Sequence, residues 1–281
     1  MKTSHSLGST LIQLVPALTL SAGAGVTVHR TIGTPALRNL DPFLMLDQFG
    51  SKDPDDYIAG FPDHPHRGFI TLTYMLDGHM EHRDSLGNKG DLRAGGIQWM
   101  KAARGVIHSE MPRQTNGHMR GFQLWINLPA RDKMSEPAYQ DYASEEIPEV
   151  ETATARVRLL AGEYGGERGP IEDPRTHLRY LDVAIKPGAT FVQELPLDFQ
   201  SFVSVFEGDA SLEGQNLPRH SLAVLGPGTG VTIRAGTAGT RLILVSARPL
   251  REPVVQSGPF VMNTREEIQQ AYEDYRQGRL A

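Results

Sequence analysis

Short β-rich runs, each closed by turn residues, are the feature that most constrains how this chain of 281 residues can fold. Phe69 to Leu76 is rich in β-branched and aromatic residues and is followed by Gly78, and Ile97 to Met100 and Gly121 to Leu128 are further runs of this kind. Short strands at regular spacing are typical of antiparallel sandwiches and barrels rather than of alternating strands and helices. The 29 Gly and 19 Pro fit this interpretation because they supply the turns. The sequence therefore predicts an all-β protein.

The second half of the chain repeats this pattern, which predicts a second barrel. Its clearest strands are Leu181 to Ile185, Phe202 to Phe206 and Arg241 to Ser246. The chain exceeds the roughly 100–200 residues of a typical domain, so two compact units are expected. Between the halves the composition becomes polar and acidic, and hydrophobic alternation fades. We predict a first barrel over residues 1–135, a linker over 136–155, and a second barrel with a terminal helix over 156–281.

That terminal helix has a clear start signal. Thr264 followed three residues later by Glu267 is a capping box. Apolar and aromatic side chains then recur on one helix face, at Ile268, Ala271, Tyr272 and Tyr275. An amphipathic face is what any docked helix needs, so we interpret this helix as a packing element without a catalytic role.

The apolar run from Leu11 to Leu20 allows two interpretations. The tripeptide Ala22-Gly23-Ala24 after it imitates a signal-peptidase site. However, Pro16 interrupts the run, and strand-like alternation continues from Val26 to Ile32. We therefore predict a strand here and a cytoplasmic protein. No stretch approaches the about 20 apolar residues of a membrane span, so no membrane contact is expected. The sequence assigns no role to residues 1–10.

Charge and the lack of cysteine exclude several classes of site. The formal net charge is -5 with the ten His counted as neutral, and no basic run stands out that could neutralise phosphates. Direct nucleic-acid binding is therefore not expected. Without Cys there is no disulfide, no thiolate ligand and no cysteine nucleophile. Any metal must be held by His, carboxylate or water.

Two short motifs, His64-Pro65-His66 and His108-Ser109-Glu110, carry the chemistry that the sequence predicts. In an extended strand, residues i and i+2 point to the same face, so each motif presents two ligand atoms side by side. Three imidazoles and one carboxylate suit a first-row divalent ion. Six-coordinate Fe(II), Mn(II), Co(II) or Ni(II) with open positions is chemically sensible; Zn(II) usually prefers four-coordinate closure, and Cu is a further alternative. We predict one divalent transition metal held by His64, His66, His108 and Glu110.

The histidines and their polar and apolar neighbours also fit roles outside metal binding. In a chain with ten His, a lone His-x-His pair is more often solvated or hydrogen-bonded than a ligand pair. The polar residues 81–84 are interpreted as a solvated hairpin end, with support of a metal ligand as the alternative. His79 and His118 are assigned to the surface or to positions behind the ligands. Four large apolar residues are expected to pack in a core, or else to line a pocket for a flat ligand: Phe43, Trp99, Met100 and Trp125.

Longer motifs around the candidate ligands resemble the metal-site signature of the pirins, a family of bicupins. These motifs are His64-Pro65-His66-Arg67-Gly68-Phe69, Gly90-Asp91-Leu92, Gln98-Trp99-Met100 and Arg104-Gly105-Val106-Ile107-His108-Ser109-Glu110-Met111-Pro112. Further matches extend over nearly the whole chain, at residues 41–44, 123–129, 249–253 and 258–264. In an ordinary cupin a Glu follows the His-x-His motif by a few residues, whereas here Glu110 supplies the carboxylate, as in pirins.

The resemblance implies a fold and a metal. The expected fold is two tandem cupin-type antiparallel β-barrels, jelly-roll-like, with a C-terminal helix. The expected metal is a non-haem Fe(II) held by the three His and the Glu named above. The second half has no His-x-His motif, only His177 and His220 standing apart, so a metal-free second barrel is expected.

Two functions follow from the resemblance. Several pirins are quercetin 2,3-dioxygenases, and on this hypothesis the substrates are a flavonol and O2. Glu110 would then be catalytic, taking the proton of the flavonol hydroxyl so that the electron-rich enolate can react with O2. Other pirins are redox-responsive partners of transcription factors or metabolic enzymes, and on this hypothesis the oxidation state of the metal changes a surface that another protein binds. A cupin with an unrelated small substrate is a third interpretation.

Overall fold

The computed structural model describes residues 8–281, and β-strands dominate it. Strands up to residue 142 are β1 Leu11–Pro16, β2 Leu18–Ala22, β3 Val26–Ile32, β4 Phe43–Ser51, β5 Phe61–His66, β6 Phe69–Asp77, β7 His79–Asp84, β8 Lys89–Arg93, β9 Ile97–Lys101, β10 Val106–Pro112, β11 Met119–Asn127 and β12 Ala138–Tyr142. Later strands are β13 Glu149–Glu151, β14 Ala155–Ala161, β15 Glu163–Tyr164, β16 Glu167–Arg168, β17 Arg179–Ile185, β18 Thr190–Glu194, β19 Gln200–Leu212, β20 Gln215–Leu217, β21 Ser221–Leu225, β22 Gly230–Ala247, β23 Val255–Ser257 and β24 Phe260–Met262. Helix α1 spans Arg265–Arg276, and 3-10 turns lie at Pro54–Asp56, Ala130–Asp132 and Ser144–Glu146.

These elements form two compact units. The first barrel consists of residues 18–146 together with 250–281, and the second barrel consists of residues 8–17 together with 147–249. All strand pairs that join the named strands are antiparallel within each unit. The prediction of an all-β fold with two cupin-type barrels and a C-terminal helix is confirmed.

The first barrel is built from two larger sheets. One sheet has the strand order β12-β9-β6-β11-β4-β3-β2, and the other has the order β5-β10-β7-β8. Side chains from the two sheets meet inside the barrel, since Thr73 on β6 donates a hydrogen bond to Glu110 on β10. The interior of this barrel is where the predicted ligands lie.

The second barrel is built on a single nine-stranded sheet, with the order β1-β21-β19-β22-β17-β14-β13 and with β18 and β20 paired to its long strands. Strand β22 has 18 residues. Its first part pairs with β18 and its last part with β17, and β19 pairs with both parts. Its core cluster is almost entirely aliphatic, with Phe191 as the aromatic member among the fully buried residues.

The structure divides the chain differently from the predicted boundaries. Residues 8–17 belong to the second barrel, because β1 pairs with β21, and residues 250–281 belong to the first. The proposed linker over 136–155 contains two strands, β12 paired with β9 and β13 paired with β14. These are polar edge strands with little buried surface, which explains why hydrophobic alternation fades there. Residues 1–7 of the predicted first barrel lie outside the described residues.

Buried polar contacts fasten residues 250–281 to the first barrel. Lys133 is 1% exposed, and its ammonium group donates to the carbonyl oxygen of Val261 (2.9 Å), to that of Gly68 (2.7 Å) and to Oδ1 of Asn127 (2.5 Å). Arg67, also buried, forms an ion pair of 2.7 Å with Asp274 on α1. These contacts explain why the terminal helix is part of the first barrel rather than of the second.

The two local predictions at the ends of the chain are confirmed. Thr264 and Glu267 form both hydrogen bonds of the capping box, and Ile268 and Ala271 are buried. The apolar run from Leu11 to Leu20 is extended, but as two strands separated after Pro16 rather than as one. Among the described residues, no helix has both the length and the apolar character needed to cross a membrane.

Candidate metal centre

Three imidazoles converge in the first barrel. β5 pairs with β10 in a register that places His64 directly opposite His108, and His66 follows two positions along on the same strand. The ring centroids are 4.3 Å apart for His64 and His108, 4.7 Å for His64 and His66, and 5.0 Å for His66 and His108. One nitrogen of each ring lies within 4.8 Å of the others, so these three side chains could hold one metal ion.

Glu110 lies two positions after His108 on β10, next to this group. A register irregularity on the β5 side separates the two residues, and on the other side Glu110 is opposite His82 of β7. Glu110, His108 and His82 form a second group whose ligand atoms lie within 4.8 Å of one another. The two groups share His108 and together contain all four residues that the sequence singled out, with His82 added.

Burial keeps two of these imidazoles neutral. His66 is 3% exposed and His108 is 1% exposed, and this desolvation, reinforced by the neighbouring imidazoles, holds the pKa of each well below its usual value. A histidine must be neutral to coordinate a metal. In addition, Nε2 of His108 is buried without a hydrogen-bond partner among the described residues. A buried nitrogen lone pair with no donor facing it is what a metal ion would satisfy, so the residues present fit a metal ion.

A buried aspartate and histidine lie behind His108. Nε2 of His82 is 3.2 Å from Oδ2 of Asp84, and Nδ1 of His82 is 3.4 Å from Nδ1 of His108. A carboxylate only accepts hydrogen bonds, so His82 carries its proton on Nε2 and accepts at Nδ1. That acceptor faces Nδ1 of His108 and also Nε2 of Gln98, at 3.3 Å. Since Nε2 of His108 has no acceptor among the described residues, the His108 proton is best placed on Nδ1, where it shares the His82 acceptor, and Nε2 keeps its lone pair. Asp84 and His82 thus hold His108 in the tautomer that can coordinate.

This arrangement corrects the interpretation of residues 81–84 as a solvated hairpin end. The side chains of His82 and Asp84 are 1% and 0% exposed, and the His82 ring stacks on Tyr139 with 4.4 Å between centroids. Arg83, by contrast, is largely exposed and pairs with Glu81 at 2.7 Å. Because successive residues of a strand point to opposite faces, alternate members of one polar segment lie inside and outside the barrel.

One oxygen of Glu110 is held by neighbours. Oε1 accepts a hydrogen bond from the Thr73 hydroxyl at 2.9 Å and from the Gln98 amide at 3.3 Å. Oγ1 of Thr73 also lies 2.6 Å from Oε1 of Gln123. A hydroxyl carries one proton, so when Thr73 donates to Glu110 the Gln123 amide is turned to donate its N–H to Thr73. These contacts orient the carboxylate and leave Oε2 as the oxygen available to a ligand or a proton.

A cavity of about 500 Å³ opens beside these residues. His64, His66 and Glu110 are part of its wall, whereas His108 and His82 lie behind it. Most of the remaining wall is apolar, and its larger side chains are Val28, Met45, Phe49, Phe61, Met80 and Trp125. Trp125 contacts the His66 ring edge to face at 5.0 Å between centroids. It therefore lines a pocket, whereas Phe43 and Met100 are fully buried core residues, as expected.

The structure places four further histidines in other surroundings. His79 pairs with Asp91, and Nδ1 of His118 is 3.7 Å from Asp77, both with partly exposed side chains. In the second barrel, His177 and His220 occupy turns with positive φ values of 50° and 56°. Both groups of potential metal ligands among the described residues lie in the first barrel.

Several residues of the site were not identified from the sequence. Thr73, Gln98 and Gln123 lie on strands other than those of the His motifs, and the Pro259 carbonyl oxygen lies 3.4 Å from Nδ1 of His66 across 193 positions. Their polar character inside an otherwise apolar strand pattern was the available signal. Only the strand register shows which residue each one faces.

Comparison with known proteins agrees with this geometry. The family model of pirin matches residues 25–126, and that of the pirin C-terminal cupin domain matches residues 180–281. A pirin-like protein of Solanum lycopersicum is 45% identical, covering 99% of this chain and 95% of its own, and human pirin is 43% identical, covering 91% and 88%. The crystal structure of a quercetin 2,3-dioxygenase from Acinetobacter baumannii superposes with a TM-score of 0.90 at 29% identity, covering 98% of this chain and 99% of that one.

The fold and the site define a bicupin with His and Glu groups able to bind a metal in its first barrel. The family matches then make the assignment specific. The chain belongs to the pirin family.

Proposed function

We propose that this protein is a mononuclear metalloenzyme that oxidises a flavonol with O2, as a quercetin 2,3-dioxygenase does. The observation that carries the proposal is the placement of His64, His66 and Glu110 on the wall of a largely apolar cavity of about 500 Å³. A flat aromatic substrate needs apolar walls and a polar end, and this cavity offers both. The similarity over nearly the full length to a structure described as a quercetin 2,3-dioxygenase supports the same reaction class.

The proposed ligands are His64, His66, His108 and Glu110. His108 is chosen over His82 because its Nε2 has no partner among the described residues, whereas both nitrogens of His82 face hydrogen-bond partners. The donor set of three imidazoles and one carboxylate suits Fe(II), with Mn, Co, Ni, Cu or Zn as alternatives. When bound, the metal would supply Lewis acidity toward a substrate hydroxyl and redox exchange with O2.

Glu110 is the proposed proton acceptor. Thr73 and Gln98 hold its Oε1, so Oε2 is the free oxygen, which would serve in turn as metal ligand and as acceptor of the proton from the substrate hydroxyl. Glu110 is 5% exposed, and the apolar wall keeps bulk water from competing for that proton. Trp125 and the neighbouring apolar side chains would orient the flat ring system in the cavity.

The test is aerobic incubation of the iron-loaded protein with quercetin, followed by its visible absorbance, with metal content measured on the same sample. We expect turnover by the wild type and a loss of about 10²–10⁴-fold in Glu110→Gln. Glu81→Gln is the matched control, because Glu81 lies outside the cavity wall and is expected to keep wild-type activity. Absence of turnover in a metal-loaded wild type would contradict the proposal, and full activity of Glu110→Gln would contradict the proton role.

A further inference from the structure

A continuous polar row crosses the inner face of the first barrel. Cross-strand partners in five neighbouring strands form it, from β3 through β4, β11 and β6 to β9: Arg30, Asp47, Gln123, Thr73 and Gln98. Directly opposite residues of an antiparallel pair share one face of the sheet, so these five side chains lie side by side. Such a row of polar groups in a barrel interior requires an explanation, because buried polar groups are costly unless they are hydrogen-bonded.

The proposed reaction explains only one end of this row. Thr73 and Gln98 hold Oε1 of Glu110, and Gln123 contacts Thr73. Asp47, on β4, is two strands away from Thr73, on β6. At about 4.8 Å per strand, the Asp47 end of the row is roughly 10 Å from the Glu110 end. Arg30 and Asp47 therefore lie at the far end of the cavity from the proposed proton acceptor.

Arg30 and Asp47 form a two-point ion pair on the cavity wall. Nε of Arg30 donates to Oδ1 of Asp47 at 2.7 Å, and Nη2 donates to Oδ2 at 2.6 Å. The Asp47 side chain is 5% exposed and the Arg30 side chain 25% exposed, and both residues line the cavity. The pair uses two of the five N–H donors of the guanidinium and one lone pair of each carboxylate oxygen. Donors and acceptors therefore remain for a ligand.

The charge of the pair determines which ligand group it suits. Its net charge is zero, so it offers little attraction to an anion or a cation as a whole. A neutral hydroxyl group can donate to the carboxylate and accept from the guanidinium at the same time. Gln123 and Thr73 continue the polar row from this pair toward Glu110, and the apolar side chains of Val28, Met45 and Phe49 flank the row on the same wall. A flat aromatic molecule could lie against these apolar side chains, with one hydroxyl group at the ion pair and another at the proposed metal ligands.

We propose that Arg30 and Asp47 are specificity-determining residues that bind a hydroxyl group on the end of the substrate remote from the metal ligands. The substrate class is thereby narrowed to polyhydroxylated flat aromatics, in preference to those with a hydroxyl at the reacting end alone. The inference rests on the proposed function, because it takes the reacting end to lie at His64, His66 and Glu110.

The test compares two ligands on the same metal-loaded protein. Quercetin carries hydroxyl groups on its outer rings, whereas 3-hydroxyflavone keeps only the 3-hydroxyl beside the 4-carbonyl. We expect the wild type to bind quercetin more tightly than 3-hydroxyflavone under anaerobic conditions, by on the order of tenfold in Kd. In Asp47→Asn that preference should shrink to near unity, and under aerobic conditions the change should appear in KM for quercetin, with kcat little altered.

Controls separate recognition from structural support. The second barrel contains a matched pair, since Nε and Nη2 of Arg241 donate to the two carboxylate oxygens of Asp182 at 3.0 and 2.5 Å. Asp182→Asn should leave the ligand preference unchanged. Should Asp47→Asn fail to fold, the double variant Arg30→Met with Asp47→Leu removes both charges and leaves no unpaired ion. It should likewise lose the preference for quercetin.

The outcomes also distinguish this inference from the proposed function. A wild type that turns over both flavonols with equal Kd values overturns the role of the pair while the dioxygenase proposal stands. Variants of Arg30 and Asp47 that keep the wild-type preference overturn it as well. A metal-loaded wild type that neither binds nor turns over either flavonol overturns both. Loss of the preference in both pair variants, with Asp182→Asn unchanged, supports the assignment.

Discussion

The two barrels have different interiors. In the second barrel, a row of directly opposite residues across β14, β17, β22, β19 and β21 is wholly aliphatic: Leu159, Leu181, Leu244, Val203 and Ala223. In the first barrel, the corresponding kind of row is polar from Arg30 to Gln98. The second barrel fills its interior with a close-packed core, whereas the first gives part of its interior to a cavity and the hydrogen bonds around it. The difference shows that a row of directly opposite residues in a barrel of this type can contribute either to a core or to a site.

The contrast between the two barrels is tested most directly by removing a proposed metal ligand from the first barrel. In His108→Ala we expect stoichiometric metal binding to be lost, an effect larger than the roughly 10–100-fold loss typical of residues behind a ligand. Metal content after anaerobic Fe(II) loading and dialysis measures this. His118→Ala, at a partly exposed position, should bind metal normally. Full metal occupancy in His108→Ala would refute the ligand assignment.

A cavity made in the second barrel should affect stability without affecting the metal. Leu244 is fully buried, and Leu244→Ala should lower the free energy of unfolding by about 2–5 kcal/mol. Far-UV circular dichroism in urea follows the transition, with Leu197→Ala, which is 60% exposed, as the control. Both tryptophans, Trp99 and Trp125, lie in the first barrel, so their fluorescence reports on that barrel alone. Altered metal stoichiometry in Leu244→Ala would contradict the separation of roles.

The tautomer of His108 gives a third test. Asp84→Asn places an amide N–H where His82 Nε2 now donates, which reverses the His82 tautomer and removes the acceptor that faces His108. We expect metal affinity to fall by about 10–100-fold in a chelator competition assay. The nitrogen chemical shifts of His108 in the metal-free protein should show its proton moving away from Nδ1. Asp91→Asn breaks the comparable pair with His79 at the surface and should change neither measurement.

The smallest expected effect is a dependence of the free energy of unfolding on pH, confined to the first barrel. Burial lowers the pKa of His66 and His108 below the usual value of 6.5, so the folded metal-free protein keeps them neutral while the unfolded chain takes up protons. Stability is therefore complete above pH 6.5 and is lost as the pH falls, by roughly 1 kcal/mol per histidine between pH 6.5 and 5.5. Tryptophan fluorescence in urea measures it. His66→Gln should flatten the slope and His118→Gln should not; equal slopes in both variants would contradict the assignment.

The sequence predicted those parts of the molecule that depend on local spacing. The i and i+2 spacing of His64 and His66 predicted a shared strand face, and Thr264 with Glu267 predicted the start of α1. The contacts of Arg30, Thr73 and Gln123 depend instead on strand register, which is set by pairings between distant segments. For the same reason the predicted domain boundaries differ from the structure, since β1 pairs with β21 some two hundred residues later.

The exchange of terminal segments has a consequence for synthesis of the chain. Domains generally fold in order as they leave the ribosome, N-terminal first. Here the first barrel lacks Val261, the acceptor of the buried Lys133, and Asp274, the partner of Arg67, until residues 250–281 have been translated. Residues 8–17 contain β1, which has no strand to pair with until β21 of the second barrel has been translated. The barrel that carries the candidate metal centre can therefore be completed only after the second barrel has been translated, so the metal centre would be assembled late.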